Sequence, residues 1–599
     1  MRLQRVRDAG NRTEMQFDKW TTEGAVKSSS LESILQRNIC VIDEECVGIL
    51  LEITGVFSVK QGGTAGLYTC PCKRTGVLFF KLGDGYLFCE HMPEVACKIG
   101  NRLFYYKKEK RKMLNLTLEE VKKYKKDYTA VPVCQELFAD MTTPIAFLQA
   151  VRESSNNYFL LESLEGGEKW GRYSFVGYDP IVRIKAKDKV VEVKNMATVK
   201  LFAEDPIKCI RDILKEYKVP KIQGIPPLTG GFVGYFSYDF IQYCEPSLHF
   251  DPAKATEHPD FDLMLFDKIV AFDHLQQKIF IIVNVKTDDV DVNYHKAERE
   301  IKAIQQMLEK PINFPKYVPA KLGPMQCNQT KEEYAANLAK ISNYIKNGDI
   351  FQAVYSQQFS ADYDQSLFNV YRLLRTSNPS QYMVFMKNDD VEIAGSSPET
   401  LVKVVDRTIT SMPIAGTRPR GKTEQEDLEL EAELLRDEKE VAEHNMLVDL
   451  GRNDVGRVSE FGSVKVPDYK IINKFSQVMH ITSRVTGTLK DGMDSVDALC
   501  SVFPAGTLSG APKIRACEII DELEPNRRGI YGGGMGYLDF AGNMDICITI
   551  RTAVKHKGKV YVQAGGGIVA DSVPATEYTE TLNKAGAVFK ALEASTKER

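Results

Sequence analysis

Two pairs of glutamates, each three residues apart, are the residues of this chain whose spacing most directly suggests chemistry. Glu440 and Glu443 lie in DEKEVAEHNMLVDLGRND, and Glu577 and Glu580 lie in PATEYTETLNKAG. Helical spacing places each pair on one face. Carboxylate oxygens from two helices, completed by anionic oxygens of a ligand, form the octahedral set that Mg²⁺ prefers. The spacing predicts a magnesium site shared with a dicarboxylate; for either pair alone, a solvated acidic helix face is the alternative.

Glycine-rich segments accompany the glutamates between residues 413 and 580. They are PIAGTRPRG, FPAGTLSGAPK, GIYGGGMGY, ITIRT and QAGGGIV. Glycine lets a backbone approach an anion closely, and successive amides can form a nest for carboxylate oxygens. One such cluster is typical of a turn or a bulge. Together and in this order they resemble the chorismate-using enzymes, most closely the large subunits of anthranilate synthase, from about Leu114 to the C-terminus.

The resemblance implies an α+β fold, a large antiparallel β sandwich with outer helices. Alternating runs such as KVVEVKN and KIFIIVNV also predict antiparallel strands. We expect residues 113–315 to form the N-terminal region, with a tryptophan-sensing strand, and residues 316–599 to form the chorismate-binding catalytic region. Residues 1–112 carry no resemblance. We expect them to be a poorly ordered or accessory segment outside the working enzyme, and the start of the enzyme to lie near Met113.

The family's reaction removes the C4 hydroxyl of chorismate while a nucleophile adds at C2, and the synthase then eliminates pyruvate. A hydroxyl is a poor leaving group, so the reaction needs a general acid. Glu399, in AGSSPET, matches the family's acid, and His480, in QVMHITSRV, matches the base that takes the C2 proton. Thr507 completes the catalytic set that the resemblance implies. Taken alone, Glu399 is also compatible with a helix N-cap and His480 with a core position.

The resemblance also assigns the metal and substrate contacts. Glu443 and Glu580 match direct or water-bridged Mg²⁺ ligands, and Glu440 and Glu577 match neighbours that hold ligands and waters in place. The enolpyruvyl carboxylate needs a fork of donors. The positions that match substrate-binding residues are Tyr531, Arg551, Gly565, Gly566, Gly567, Gly416 and Thr417.

Two positions indicate which nucleophile the enzyme uses. Gln352, in DIFQAVYS, stands where water-adding relatives carry a lysine base, and Ala415, in PIAGT, stands where aminodeoxychorismate synthase carries a nucleophilic lysine. Both differences favour ammonia and hence anthranilate as the product. The chain has no G-x-C-x-G glutaminase elbow. The resemblance therefore implies a separate glutamine amidotransferase subunit, joined in a heterotetramer, with free ammonium as a substitute at high concentration and pH.

A second predicted site binds tryptophan as a feedback inhibitor. Leu161, Glu162 and Ser163, in FLLESLEGGEKW, resemble the family's tryptophan-sensing segment, although a plain β strand is the alternative. The other matching positions are Gln381, Tyr382, Met383 and Cys547, and Gln381 departs from the PSPYM that relatives often carry. The remaining alternatives for the whole protein are aminodeoxychorismate synthase and a non-catalytic paralogue that only senses an amino acid.

Composition excludes several other classes of protein. The formal charge of −3 provides no concentrated basic face for nucleic acid, and no apolar run reaches membrane-spanning length. The basic N-terminus lacks the apolar core of a signal peptide, so we expect a cytoplasmic protein. Six of the 13 cysteines crowd the first hundred residues, but no C-x-x-C pair occurs among them. This spacing argues against a zinc module.

Overall fold

Two twelve-stranded antiparallel sheets form the framework of the protein in the computed structural model. The structure describes residues 114–598, except for 165–170, 255, 311–313, 390 and 476–477. Before residue 114 it describes seven short strands, Val6–Asp8, Asn11–Thr13, Gly66–Thr69, Leu78–Leu82, Gly85–Cys89, Glu94–Ile99 and Arg102–Lys107.

Contacts divide the chain into two units, Met1–Lys112 and Met113–Arg599. In the first unit the short strands pair as two hairpins and one three-stranded sheet. Its cysteines lie outside the residues whose side chains the structure describes. The role that we expect for this segment therefore stays a prediction, and so does the boundary at residue 315.

The first large sheet combines strands from both parts of the second unit, and all of its strand pairs are antiparallel. In spatial order its strands are Gln326–Cys327, Gln352–Asp362, Lys559–Ile568, Thr552–His556, Val391–Ser397, Tyr382–Asn388, Asn157–Glu162, Tyr173–Tyr178, Lys268–Asp273, Lys278–Lys286 and Ala130–Phe138. The two-residue strand Gly510–Ala511 also pairs with Gln352–Asp362.

The second large sheet mixes the two parts in the same way. In spatial order its strands are Thr198–Phe202, Val190–Lys194, Val182–Lys187, Phe261–Phe266, Gly231–Phe236, Gly534–Asp539, Met544–Ile548, Thr400–Val405, Thr408–Ser411, Val478–Thr488 and Ile414–Pro419. Lys465–Lys474 pairs with the far side of Val478–Thr488. The antiparallel sandwich that the sequence predicts is confirmed.

Helices cover the outer faces of both sheets. They are Leu118–Tyr124, Pro144–Ser154, Pro206–Lys215, Ile241–Cys244, Val290–Glu309, Lys331–Lys346, Phe368–Ser377, Glu424–Arg436, Glu438–Val458, Ser495–Val502, Lys513–Leu523 and Pro574–Ala594, with 3₁₀ turns at Tyr238–Phe240 and Gly506–Leu508. Within the part of the chain that the structure describes, no helix is long and apolar enough to span a bilayer.

Three large hydrophobic clusters hold these layers together. One cluster lies between the two sheets, and it includes Phe159 and Val384 from the first sheet and Met264 and Met535 from the second. The other two lie between each sheet and its outer helices. Strands buried on both faces must be apolar at almost every position, and FDLMLF at Phe261–Phe266 is buried throughout. The sandwich therefore provides a rigid support for side chains at its ends.

Candidate active site

Glu399 lies where the chain crosses from one sheet to the other. Val391–Ser397 belongs to the first sheet and Thr400–Val405 to the second. The amide of Ile548 donates to the Glu399 carbonyl at 3.0 Å, and Thr507 Oγ1 donates to Glu399 Oε1 at 2.8 Å. Burial raises the pKa of Glu399 to about 7. The side chain therefore carries a proton that it can donate near neutral pH.

His480 is oriented by a bulge in the neighbouring strand. The pairing of Ile414–Pro419 with Val478–Thr488 shifts register at Gly416, whose φ of 69° favours glycine. The Gly416 carbonyl lies 2.9 Å from His480 Nδ1, so Nδ1 must carry the proton and donate it. Nε2 then keeps its lone pair. Burial, assisted by the charge of Arg551, lowers the pKa of His480, and the ring can act as a neutral base.

The first glutamate pair lies in the first two turns of a capped helix. Asp437 caps Glu438–Val458 by accepting from the amide of Glu440 at 3.2 Å. Glu440 Oε2 would lie 3.3 Å from a Cβ atom at Gly416, so a larger residue there would crowd the carboxylate. Burial, and after it the charge of Glu443, raises the pKa of Glu440. Two acids here repel each other and leave room for a cation.

The second pair lies at the start of helix Pro574–Ala594. Glu577 Oε2 would lie 3.3 Å from a Cβ atom at Gly566, which brings this helix against the glycine strand. Burial is the main cause of the raised pKa of Glu577, and Glu580 adds to it. Glu580 Oε1 forms an ion pair with Lys584 Nζ at 2.6 Å. The second pair therefore differs from the first in having its own cation.

Gln352 connects the first pair to the glycine strand. It begins strand Gln352–Asp362, which pairs with Lys559–Ile568. Its Nε2 donates to Glu443 Oε1 at 3.3 Å, and a Cβ atom at Gly567 would collide with the same amide. Among the described residues, no hydrogen-bond partner reaches the buried Oε1 of Gln352. The carboxamide therefore presents an unsatisfied acceptor inside the site.

Arg551, Tyr531 and Gly565 form the cationic end of the site. Arg551 has a φ of 52°, an uncommon conformation for a residue with a side chain, and its carbonyl accepts from the Ser396 amide at 3.1 Å. Burial lowers the pKa of Arg551, and no carboxylate in the described part of the chain forms an ion pair with it. The Tyr531 hydroxyl would lie 3.0 Å from a Cβ atom at Gly565. This arrangement suits an anionic ligand.

The contacts close into one ring. Arg551 lies close enough to Tyr531 and to His480 to interact electrostatically with both. Lys584 Nζ donates to the Gly565 carbonyl at 3.1 Å. In order round the ring the residues are His480, Gly416, Glu440, Glu443, Gln352, Gly567, Gly566, Gly565, Tyr531 and Arg551. Thr417 Oγ1 lies 3.1 Å from His480 Nδ1, and buried Ala415 pairs with Ile481 in the same strand pair.

The predicted magnesium ligands fit a metal that is shared with its substrate. Within the part of the chain that the structure describes, no group of three or more Asp, Glu, His or Cys could hold a metal alone. Burial is the main cause of the raised pKa values of Glu440 and Glu577, and the neighbouring glutamate of each pair adds a repulsion that a cation would relieve. One carboxylate from each helix, Glu443 and Glu580, leaves the remaining coordination positions to water and to substrate oxygens, as Mg²⁺ prefers.

The residues of the first sheet that are predicted to bind tryptophan lie on two different faces of that sheet. Leu161 and Tyr382 pack on the cluster between the sheets, which contains Cys547. Met383 belongs to the outer cluster beneath the helices. Glu162, which pairs with Met383, accepts from Arg375 Nε at 2.9 Å in helix Phe368–Ser377. Leu161 and Tyr382 therefore lie on the inner face of the first sheet, which Cys547 faces from the second sheet. Glu162 and Met383 lie on the outer face of the first sheet.

A hydrogen bond connects Tyr382 to the residue that follows the candidate acid. The hydroxyl of Tyr382 lies 2.9 Å from Thr400 Oγ1, and Thr400 follows Glu399 in the chain. Gln381, which departs from the pattern of the relatives, is buried. Ser163 is half-buried at the end of its strand. A ligand that moved Tyr382 would therefore disturb the backbone that positions Glu399.

Comparison with known proteins identifies the family. The family model described as chorismate binding enzyme matches residues 156–590. The chain belongs to this family. The anthranilate synthase component 1 of Acetivibrio thermocellus is 46% identical over 490 residues, which cover 80% of this chain and 98% of the relative. That of Pseudomonas aeruginosa is 44% identical over 473 residues, which cover 78% of this chain and 96% of the relative.

Solved structures of chorismate-binding enzymes share the fold. The crystal structure of anthranilate synthase component I from Streptococcus pneumoniae TIGR4 matches with a TM-score of 0.63 and 35% identity, over 76% of this chain and 98% of that one. A menaquinone-specific isochorismate synthase from Escherichia coli matches with a TM-score of 0.58 and 17% identity, over 79% and 98% of the two chains. The second match bears on the fold alone.

Lys584 is the residue of this chorismate-binding site that our sequence analysis did not include. It contacts both Glu580 and the Gly565 carbonyl, and its charge reaches Glu399. The spacing holds a signal that could have found it, since Lys584 follows Glu580 by four residues and the two therefore share one helical face. Such pairs are frequent on exposed helices, so the pattern becomes informative only when Glu580 has a role.

Thr507→Val should shift the alkaline limb of the pH–activity profile to higher pH. The Thr507 hydroxyl stabilises the charged form of Glu399 and lowers its pKa against the larger effect of burial. If Glu399 must be protonated, activity falls as pH rises through about 7 in the wild type. A hydrogen bond to a charged group contributes about 1.5 to 3 kcal/mol, so the limb should shift by roughly one to two pH units.

The measurement is kcat/KM for chorismate from pH 6 to 9, with free ammonia held constant by adjusting total ammonium. Glu399→Gln is the control, because its residual activity should lack this limb. A limb that stays in place in Thr507→Val would show that another group controls it.

Proposed function

We propose that this protein is the chorismate-converting component of an anthranilate synthase, which makes anthranilate and pyruvate from chorismate and ammonia. The observation that carries the proposal is the ring of contacts that joins His480 and Arg551, with Glu399 within reach of the charge of Lys584 beside that ring, in a chain that spans nearly the full length of the relatives of that name. We also propose a cytoplasmic location and assembly with an amidotransferase subunit in a heterotetramer.

Glu399 begins the reaction as general acid. It gives its proton to the C4 hydroxyl of chorismate, which leaves as water while ammonia bonds to C2 and the ring double bonds shift. The pKa of about 7 supports this role, because a glutamate at its ordinary pKa would hold almost no proton at neutral pH. The hydrogen bond from Thr507 fixes the direction of the carboxyl group.

His480 completes the reaction as general base. Its neutral Nε2 takes the C2 proton, and the C–O bond to the enolpyruvyl arm breaks, which leaves an aromatic ring and the enolate of pyruvate. The enolate then takes a proton from solvent to become pyruvate. The Gly416 carbonyl holds the tautomer that this step requires. Arg551, Tyr531 and the backbone of Gly565 hold the carboxylate of the arm, which orients the bond that breaks.

Glu443 and Glu580 are the residues that would hold Mg²⁺. When bound, the ion supplies positive charge that neutralises and orients the ring carboxylate of chorismate. Glu440 and Glu577 lie one helical turn earlier in each pair and restrain the ligands and their waters. The repulsion within each pair supports this assignment, because chorismate adds two more carboxylates to the site.

Gln352 and Ala415 support ammonia as the nucleophile. A buried carboxamide cannot deprotonate water, and a methyl side chain cannot attack C2. The unsatisfied Oε1 of Gln352 can accept a hydrogen bond from ammonia without taking its proton. Ammonia is a substrate that a partner can supply from glutamine, so a glutamine amidotransferase subunit is the partner that we propose.

Incubation of the purified protein with chorismate, Mg²⁺ and ammonium tests the activity directly. We expect anthranilate, detected by its fluorescence, together with one pyruvate for each chorismate consumed. Chromatography of the products distinguishes the rivals. Isochorismate or 4-amino-4-deoxychorismate as the main product would replace the proposal with a water-adding enzyme or with aminodeoxychorismate synthase, and unchanged chorismate would favour the non-catalytic paralogue.

We propose that tryptophan inhibits by binding between the sheets near Leu161, Ser163 and Tyr382. The contact between Tyr382 and Thr400 supports this proposal, since it connects the pocket to Glu399. Coupling of this kind is reciprocal, so saturating chorismate should weaken tryptophan binding by the factor by which tryptophan weakens chorismate binding.

Ser163→Phe should raise the tryptophan concentration for half inhibition by about tenfold or more, a loss of ~1.4 kcal/mol of binding free energy. The larger side chain fills space at the end of the sensing strand, while uninhibited turnover should change little. The measurement is initial rate against tryptophan concentration, and Ser154→Phe, at an exposed serine on helix Pro144–Ser154, is the control. Inhibition at the wild-type concentration would place the tryptophan site elsewhere.

A further inference from the structure

Each of the two proposed metal ligands is already held by a nitrogen donor of the protein. Gln352 Nε2 donates to Glu443 Oε1 at 3.3 Å, and Lys584 Nζ lies 2.6 Å from Glu580 Oε1. The donors come from different elements, a strand of the first sheet and the helix that carries Glu580 itself. Both glutamates that are proposed to face a cation therefore have a partner within the protein.

We infer that Gln352 and Lys584 act as internal substitutes for the metal: each holds one ligand carboxylate in place until a divalent cation exchanges for it. This inference rests on the proposed function, because it assumes that Glu443 and Glu580 bind the cation. It adds a step that the function alone does not require. The cation must break two existing contacts before it is bound, so its affinity is lower than the carboxylates alone would give.

Charge explains why such donors are needed. Within each pair the later glutamate raises the pKa of the earlier one, so the two carboxylates of each helix repel each other. An ammonium group at Glu580 offsets part of this repulsion, and an amide hydrogen at Glu443 offsets less because it carries only a partial charge.

The structure also shows how the exchange stays reversible. The side chains of Lys584 and Glu580 are 36% and 47% exposed, and partly exposed ion pairs are weak. Lys584 Nζ keeps the Gly565 carbonyl as a second partner at 3.1 Å when Glu580 leaves. The buried Oε1 of Gln352 has no hydrogen-bond partner among the described residues, so no second contact holds this carboxamide. Release of Glu443 therefore leaves the whole carboxamide free to reorient inside the site.

Binding of Mn²⁺ to the protein without chorismate tests the inference, with electron paramagnetic resonance of free Mn²⁺ as the readout. Lys584→Met removes the ammonium and keeps the length of the side chain, and we expect the Mn²⁺ dissociation constant to fall about threefold or more. Gln352→Met removes the amide donor, and we expect a fall of about twofold. Lys584→Arg retains a cation for Glu580 and should keep the wild-type affinity.

Lys590→Met is the matched control, since it removes one exposed lysine from the same helix, two to three turns beyond Glu580. It should leave Mn²⁺ binding within experimental error of the wild type. Circular dichroism and thermal midpoints establish that each variant is folded. If Lys590→Met tightens binding as much as Lys584→Met does, the effect is general electrostatics and the inference is wrong.

Two further outcomes separate this inference from the proposed function. If Glu443→Gln and Glu580→Gln lose Mn²⁺ binding but Lys584→Met and Gln352→Met do not gain it, the metal assignment stands and the internal donors do not. If Glu443→Gln and Glu580→Gln bind Mn²⁺ like the wild type, the metal assignment itself is wrong. Binding that is undetectable in the wild type but measurable in Lys584→Met supports the inference, and binding that is undetectable in every folded variant overturns it.

Discussion

Glu399→Gln should reduce kcat by about 1,000-fold while the protein still binds chorismate. General acid catalysis contributes typically 10²- to 10⁴-fold, and the amide keeps the shape of the side chain but has no acidic proton to give to a hydroxyl leaving group. The Thr507 hydroxyl can still donate to the amide oxygen, so the local structure should survive. The loss should therefore fall on kcat rather than on KM.

The measurement is ammonia-dependent turnover under saturating Mg²⁺, combined with calorimetric titration of chorismate. Glu309→Gln, at the exposed end of helix Val290–Glu309, provides a control that removes one negative charge far from this chemistry. A Glu399→Gln enzyme that retains a tenth of the wild-type kcat would show that another group protonates the leaving hydroxyl. A loss of chorismate binding instead would assign Glu399 to substrate recognition.

The resemblance to the chorismate-using enzymes implies the sandwich, and the hydrophobic pattern of the sequence predicts the strands themselves. Phe261–Phe266 is apolar at almost every position because both of its faces are buried, and KIFIIVNV in Lys278–Lys286 is similar. The order of the strands could not be derived in this way. Asn157–Glu162 pairs with Tyr382–Asn388, more than two hundred residues away, and nothing local in either segment specifies that partner.

The candidate catalytic side chains could be named from sequence, but their protonation states could not. The segment AGSSPET gives the position of Glu399 and says nothing of the burial that raises its pKa to about 7. Likewise, PIAGT indicates that Gly416 matters, yet the reason is a bulge that turns its carbonyl toward His480 Nδ1. Both properties depend on residues distant in the chain, so a linear motif does not contain them.

The residues that are predicted to bind tryptophan show another limit of prediction from a sequence motif. Leu161 and Glu162 are adjacent in sequence, and side chains alternate along a strand, so the two must face opposite sides of the sheet. Glu162 indeed contacts Arg375 in an outer helix, while Leu161 packs between the sheets. A motif that matches consecutive residues cannot place all of their side chains in one pocket. Backbone groups of such residues can still contribute to a site.

Glu443→Gln and Glu580→Gln should each reduce kcat/KM for chorismate by about 100-fold or more. Removal of one group that stabilises developing charge typically costs 10² to 10³ in rate, and each variant removes the negative charge of one carboxylate from the proposed Mg²⁺ site. The two variants also differ in a useful way. Glu580→Gln leaves Lys584 without its ion pair, whereas Glu443→Gln leaves Gln352 only a neutral acceptor.

The decisive comparison is with Glu440→Gln, which removes an acid of the same helix one turn earlier. If Glu440 only restrains the ligands, its loss should cost about 10- to 100-fold, and raised Mg²⁺ should restore part of the rate. Raised Mg²⁺ should restore less in Glu443→Gln, because the missing oxygen belongs to the metal's own shell. Steady-state rates measured over a hundredfold range of Mg²⁺ concentration show which of the two variants is rescued more. Equal losses and equal rescue in Glu440→Gln and Glu443→Gln would contradict the division of each pair into a ligand and a supporting residue. Near-normal activity in both Glu443→Gln and Glu580→Gln would show that the metal does not bind in this part of the site.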